Sequence, residues 1–311
     1  MIEVQDLHKA YRGRPAVNGL SFAVERGEIF GLLGPNGAGK TTTLSMLSTL
    51  LPPDSGRMLI GGHDLRTAAV EVKRIIGLVP QDLALYERLS AWENLQFFGR
   101  MYGLGHRTLR ERCHEALAVV GLAERRTDPV RTFSGGMKRR LNIAAALLHR
   151  PLVLFLDEPT VGIDPQSRNF IFEFVERLRA EKYTLIYTTH YMEEAQRLCD
   201  RVAIMDHGEF RALDTPGALI DGLGGGIIHA GFQSPDTDTE ELHRALGALP
   251  HVEQVAKKNN HVELSVRDPR AALAEIVELC QRRDVELAGL EVLKPDLEAV
   301  FLKLTGRRLR D

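Results

Sequence analysis

The run GLLGPNGAGKTTTL, Gly31–Leu44, constrains this chain more than any other stretch. An apolar segment of strand length, Glu28–Gly34, enters a loop rich in glycine. The residues after it place Leu44, Leu47, Leu50 and Leu51 at helical spacing. Gly34-x-x-x-x-Gly39-Lys40-Thr41 therefore sits between a strand and a helix N-terminus, the setting a phosphate cradle requires. Glycine lets successive N–H groups curl around an anion, and the helix start adds unpaired N–H groups and a positive dipole end. Gly34, Pro35, Asn36, Gly37, Ala38, Gly39, Lys40, Thr41 and Thr42 are the candidate binding residues here. Lys40 is placed to reach the β- and γ-phosphates of a nucleotide, and Thr41 to hold Mg²⁺.

The chain's 311 residues suit one large domain or two. Its net charge of −2 provides no broad field for nucleic acid. Cys113, Cys199 and Cys280 are scattered and form no CxxC, so they read as reduced thiols rather than a disulfide framework or metal site. No run approaches the ~18 apolar residues of a membrane span. The N-terminus has Glu3 and Asp6 and no long apolar core, unlike a signal peptide. Any membrane role would need a partner.

Residues 1–35 read as β-rich, with turns at Arg12–Pro15 and Arg26–Gly27. Further strands follow at MLIGG and IIGLVPQ, and a helical region runs from about Ala91 to Arg150. LVLFLDE, TLIYTTH and RVAIMD then alternate with helical segments, predicting a mostly parallel sheet with helices on its faces. MDHGEF reads as a tight turn at His207–Gly208 between strands. The glycine run DGLGGG, 221–226, is expected to be a flexible linker. Beyond it come strand 227–232, helix 239–249, strands 251–257 and 261–267, helix 269–283 and strand 285–293. This is the β-α-β-β-α-β order of a ferredoxin-like domain. A closing helix is expected to start near Pro295, end at Gly306 and bury Leu297, Val300, Phe301 and Leu304 on one face.

Four more sites carry chemistry. In LVLFLDEP, apolar residues run straight into Asp157 and Glu158, so one carboxylate can serve Mg²⁺ and the other an attacking water. Ser134, Gly135 and Gly136 precede a helix and form a second anion site, which suggests that two subunits share each nucleotide. The Lys138–Arg140 run that follows reads as a solvated face. Gln81 ends a strand, where it could touch the metal or water, and His190 ends another, where it could bond the γ-phosphate. Tyr11 could stack on a base.

In this order and spacing, Gly34–Thr41, Gln81, Ser134–Gly136, Asp157–Glu158, Asp164 in VGID, and His190 resemble the ATP-binding-cassette (ABC) ATPases over residues 1–220. The resemblance implies an α/β P-loop NTPase fold of ABC ATPase type: a mixed sheet with a helical subdomain at about 82–150. Residues 221–226 would be the linker and 227–311 an α+β ferredoxin-like accessory domain. It also implies head-to-tail homodimers holding two ATP molecules. Carried over, Glu158 is the general base, and Asp157 organises Mg²⁺ with Thr41 and Gln81. Gln81 is also the lid residue, Ser134–Gly136 the signature contacting ATP in trans, Asp164 the interface loop and His190 the switch histidine. TFSGGMKRRLNIAAALLHRP, EPTVGIDPQSR and PDLEAVFLKLTGR further resemble drug-resistance and nodulation-type exporter subunits. Met137, where glutamine is usual, departs from the general ABC pattern. The expected function is an ATPase driving a separate membrane permease from the cytoplasmic face, with export of a drug, lipid-like or other small hydrophobic solute. Residues Asp82–Asn94 are the candidate docking groove for a permease helix. The alternatives are an importer ATPase and a soluble ABC ATPase acting on nucleic acid or ribosomes. Accessory-domain order disfavours the first. The absence of long heptads, the single cassette and the near-neutral charge disfavour the second.

Overall fold

The computed structural model describes residues 1–232, 240–258, 261–293 and 295–305. It divides into one compact unit from Met1 to Pro216 and a second that begins at Gly217.

The first unit opens with the antiparallel strands β1 (Ile2–Tyr11) and β2 (Arg14–Val24), then β3 (Ile29–Leu33) and α1 (Lys40–Leu47). Next come β4 (Ser55–Ile60), β5 (His63–Asp64), α2 (Ala69–Ile75) and β6 (Ile76–Val79). Helices α3 (Ala91–Met101), α4 (His106–Val119) and α5 (Gly135–Leu147) follow. The unit ends with β7 (Val153–Asp157), α6 (Pro165–Ala180), β8 (Thr184–Thr189), α7 (Met192–Leu198), β9 (Arg201–Asp206) and β10 (Glu209–Asp214).

Strands β3, β6, β7, β8 and β9 form a parallel sheet in the order β10-β9-β3-β8-β7-β6, with β10 antiparallel at the edge. A separate sheet, β2-β1-β4-β5, completes the mixed α/β architecture. β3, β7 and β8 are buried at every position, as strands covered on both faces must be. Their C-terminal ends deliver Gly34, Glu158 and His190 to one edge of the sheet. The β9–β10 turn forms as expected, with positive φ at both His207 and Gly208. Helices α3, α4 and α5 enclose a core of their own around Leu95, Leu109, Cys113, Leu117 and Leu141. Ser90 and Glu93 form a reciprocal cap at the start of α3.

In the second unit, β11 (Gly226–Phe232), α9 (Glu240–Gly247), β12 (Val252–Lys257), β13 (Val262–Val266), α10 (Pro269–Arg282) and β14 (Leu287–Leu293) follow the β-α-β-β-α-β order. The strands form an antiparallel sheet, β12-β13-β11-β14, and α11 (Leu297–Thr305) closes the chain's described part. The core lies between this sheet and helices α9 and α10, around Ile228, Val262, Leu264, Leu246 and Ile276.

Three expectations need correction. The 221–226 run is not simply a linker: Asp221 closes helix α8 (Pro216–Asp221), and Gly226 opens β11. A Cβ on Gly225 would lie 1.8 Å from the Val266 carbonyl oxygen, so the glycine there permits close backbone packing. In α11, Leu297, Val300 and Phe301 are buried, but Leu304 is 41% exposed. The Lys138–Arg140 run is not a solvated face either. Lys138 pairs with Glu87, Arg139 is 4% exposed, and Arg140 lies over the Phe170 ring. The expected start of one helix at Thr239 and the end of another at Gly306 lie outside the described residues.

Candidate active site

The loop between β3 and α1 is shaped by Gly39, whose φ of 107° puts it in the left-handed region. A Cβ there would lie 2.3 Å from the Ala16 carbonyl oxygen. Asn36 and Gly37 are exposed, whereas Gly34, Ala38 and Gly39 are buried. Lys40 Nζ donates to the carbonyl oxygens of Gly34 (2.7 Å) and Pro35 (3.1 Å) and lies 3.2 Å from Glu158 Oε1. Burial lowers the Lys40 pKa, and the neighbouring Glu158 and Asp157 charges work against that shift.

Asp157 ends β7 beside Thr188 of β8. Thr188 Oγ1 donates to Asp157 Oδ1 across 2.6 Å and accepts from the Glu158 N–H at 2.9 Å. Thr41 Oγ1 lies 3.5 Å from the same Asp157 oxygen. This hydroxyl–carboxylate pair at the start of α1 is the all-oxygen donor chemistry that suits Mg²⁺. Burial raises the Asp157 pKa; the Glu158 charge adds to the shift, and the Thr188 and Thr41 hydroxyls and the Lys40 charge work against it. Glu158 has φ of 43°, unusual for a residue with a side chain, and such strain concentrates at functional sites. Its second oxygen, Oε2, is 3.1 Å from His190 Nδ1. Lys40, Glu158 and His190 thus form one continuous chain of charged and titratable groups.

The other expected residues lie outside this chain. Ser134 caps α5 by accepting from the Met137 N–H, and Ser134 and Gly135 are exposed. A Cβ on Gly136 would fall 1.7 Å from Ser167 Oγ, so this glycine lets α5 pack directly on α6. Asp164 caps α6, accepting from Ser167 N–H (2.9 Å) and Ser167 Oγ (2.8 Å). The same two bonds lower its pKa. Gln81 is exposed just beyond β6, and its side chain makes no bond to Thr41 or Asp157. Its carbonyl oxygen accepts from Arg139 Nη2. Tyr11 is half-exposed at the end of β1.

Two residues were missed by sequence reasoning. Arg139 donates from both terminal nitrogens to the carbonyl oxygens of Pro80 and Gln81, each at 2.6 Å, which joins the helix after Ser134 to the turn bearing Gln81. Glu194 is fully buried. It accepts from Thr160 Oγ1 (2.7 Å), Thr189 Oγ1 (2.9 Å), Tyr187 OH (3.0 Å) and Arg168 Nε (3.0 Å). It therefore ties the segment after Glu158 to the strand end that carries His190.

Comparison with known proteins identifies the family. A family model described as ABC transporter matches residues 17–161. The chain is 46% identical to the linearmycin resistance ATP-binding protein LnrL of Bacillus subtilis (strain 168), covering all of both chains. The chain belongs to the ABC transporter family. It is 40% identical to the Nod factor export ATP-binding protein I of Ralstonia nicotianae, covering all of this chain and 95% of that one. A solved ATP-binding subunit of an ABC transporter superposes with a TM-score of 0.65 at 30% identity, over 72% of this chain and 93% of that one. The chain is thus an ABC ATPase that binds ATP. Among the described residues no helix is long and apolar enough to cross a membrane.

Proposed function

We propose that this ATPase drives a separate integral-membrane permease from its cytoplasmic face, exporting a small hydrophobic solute such as a drug or lipid-like molecule. Full-length similarity to ATP-binding proteins of linearmycin resistance and Nod factor export supports the export direction. The observation that carries the catalytic reading is the Lys40–Glu158–His190 chain.

In this reading Lys40 and the loop N–H groups of 34–42 bind the β- and γ-phosphates. Thr41, Asp157 and Gln81 would hold Mg²⁺, which would neutralise phosphate charge there. Glu158 accepts the proton of the attacking water. His190 Nδ1 orients that carboxylate, and its ring reaches toward the γ-phosphate. Tyr11 stacks on the adenine. Two chains pair head to tail, and the exposed Ser134 and Gly135, with Gly136 and Asp164, complete the nucleotide site of the partner. Residues 1–220 act as the nucleotide-binding domain, with 82–150 as its helical subdomain, and 227–311 as an accessory domain.

The permease would dock along 82–94. Leu83 and Tyr86 expose apolar surface there, and Tyr86 continues onto Phe97 through an edge-on ring contact at 4.8 Å. Asn94 is buried and serves as an internal brace instead, bonding the backbone of Tyr86 and Ser90.

Glu158→Gln tests the reading. The amide keeps the size of the carboxylate but cannot take the proton, and loss of a positioned base costs ~10²–10⁴ in rate. The variant should bind ATP, fail to hydrolyse it, and run as a dimer only with ATP and Mg²⁺ in light scattering. Adding Ser134→Arg should abolish that dimer, and Lys40→Ala should abolish ATP binding. Wild-type hydrolysis by Glu158→Gln would overturn Glu158's role. A dimer indifferent to Ser134→Arg would overturn the shared site.

A further inference from the structure

The second unit carries a cluster that ATP chemistry does not use. In β11 and β13, Ile228, Ala230, Val262 and Leu264 face the core, so the alternate residues face the opposite side of the sheet. His229 of β11 lies directly across from Glu263 of β13. His261 precedes Glu263 by two positions and shares its face. His229 Nε2 is 3.4 Å from Glu263 Oε2, and the rings of His229 and His261 are 4.0 Å apart between centroids. One nitrogen or carboxylate oxygen from each of the three lies within 4.8 Å of the other two, and all three side chains are half-buried.

We propose that His229, His261 and Glu263 form a binding site for a divalent transition-metal ion, with Zn²⁺ the best-suited probe. Two imidazoles and one carboxylate are ordinary zinc ligands, and such three-ligand sets keep a fourth position for water or another ligand. Ligands held ~2.0–2.1 Å from a tetrahedral ion stand about 3.3 Å apart, close to the His229–Glu263 separation. A simple cross-strand ion pair accounts for His229 and Glu263 but gives the second imidazole no purpose. A shared cation engages both rings and the carboxylate. The register also places Glu291 of β14 opposite His229, on its other side, as a further carboxylate on this face. Lys258 Nζ lies 3.9 Å from Glu263 Oε1 and is a competing cation.

The ion would bridge β11 to the leading end of β13. Because its ligands must be deprotonated, binding should weaken as pH falls. The cysteines do not compete, since all three are buried and scattered.

The test uses the full chain, stripped with chelator and titrated with Zn²⁺ by calorimetry and with Co²⁺ by visible absorption. One ion should bind per chain, with a Co²⁺ spectrum of nitrogen and oxygen ligation and no thiolate charge-transfer band. His229→Ala, His261→Ala and Glu263→Gln should each weaken Zn²⁺ binding at least about 100-fold, because outer-shell changes alone cost ~10–100-fold. Lys258→Ala should tighten it by removing the competing charge, a response a purely structural ion pair would not give. Asp157→Asn should leave Zn²⁺ binding unchanged. The proposal falls if wild type binds no stoichiometric Zn²⁺, if Asp157→Asn abolishes the binding, or if the three substitutions fold and leave it intact. Should a substitution prevent folding, the wild-type stoichiometry, the Co²⁺ spectrum and the Lys258→Ala response decide.

Discussion

Arg139 holds the carbonyl oxygen of Gln81 at 2.6 Å and that of Pro80 at the same distance with its other terminal nitrogen. A buried guanidinium thus spans from α5, the helix begun by Ser134, to the turn after β6. Two backbone acceptors thus share one side chain, which couples α5 to the turn that carries Gln81.

Arg139→Met keeps most of the aliphatic volume but removes both donors. Hydrogen bonds to a charged group are worth about 1.5–3 kcal/mol, and water can replace part of that at these half-exposed acceptors. The substitution should lower the urea midpoint accordingly. If Gln81 is placed by this contact, ATP hydrolysis should fall more than ATP affinity. Unchanged turnover in a destabilised variant would limit Arg139 to a structural role.

The adjacent glycines 135 and 136 should respond in opposite ways. A Cβ on Gly135 meets nothing within 4 Å, whereas one on Gly136 falls 1.7 Å from Ser167 Oγ and 2.4 Å from its Cβ. Gly136→Ala must push α5 away from α6, and overpacking of this kind costs about 1–3 kcal/mol. Gly135→Ala should leave stability unchanged or raise it by up to ~1 kcal/mol, as alanine favours the helix. Its penalty should appear in the ATP-dependent dimer of the Glu158→Gln background. Thermal unfolding and light scattering of both substitutions separate packing from phosphate contact.

Glu194 gathers four donors in a fully buried position. Glu194→Gln replaces two acceptor oxygens with one and removes the charge opposite Arg168. A stability loss of about 1–3 kcal/mol is expected. Because Thr189 adjoins His190, and Thr160 follows Glu158 by two residues, turnover should fall with little change in ATP affinity. Calorimetric titration with ATP beside a steady-state assay distinguishes this from general unfolding.

The difference between Glu194 and Asp157 shows what could be read from sequence. Asp157 and Glu158 stand at the end of a continuous apolar run, and the cradle residues are contiguous, so local pattern is enough to find them. The second unit's strand and helix order was legible for the same reason. Glu194 is one of two glutamates in YMEEAQ and differs from Glu193 only by its helix face. Its partner Thr160 is 34 residues away. Arg139 has charged neighbours on both sides, and its burial depends on how α5 sits against β6. Gly225 looks like linker because composition does not register that the Val266 carbonyl passes beside it. Helix α2 is about two turns long with only Val72 buried, too short for its apolar spacing to stand out from the strands on either side.

Asp157 provides a prediction in pH. Burial raises its pKa, and the Thr188 and Thr41 hydroxyls and Lys40 only partly oppose this. The folded chain therefore retains a proton where the unfolded chain has released it. The resulting stability is fully present below the unfolded value of 3.8 and is lost as pH rises through the folded value. At neutral pH, without Mg²⁺, two buried carboxylates face one lysine. Asp157→Asn leaves Lys40 opposite Glu158 alone and keeps an oxygen to accept from Thr188. The metal-free variant should therefore melt above wild type at pH 7–8, and the gain should shrink as pH falls toward the ordinary carboxylate range. Adding Mg²⁺ and ATP should stabilise wild type more than the variant, whose hydrolysis should drop to background. Scanning calorimetry across pH, with and without Mg²⁺ and ATP, reads both effects. A variant less stable than wild type at neutral pH would show that the Asp157 charge is already compensated in the folded chain.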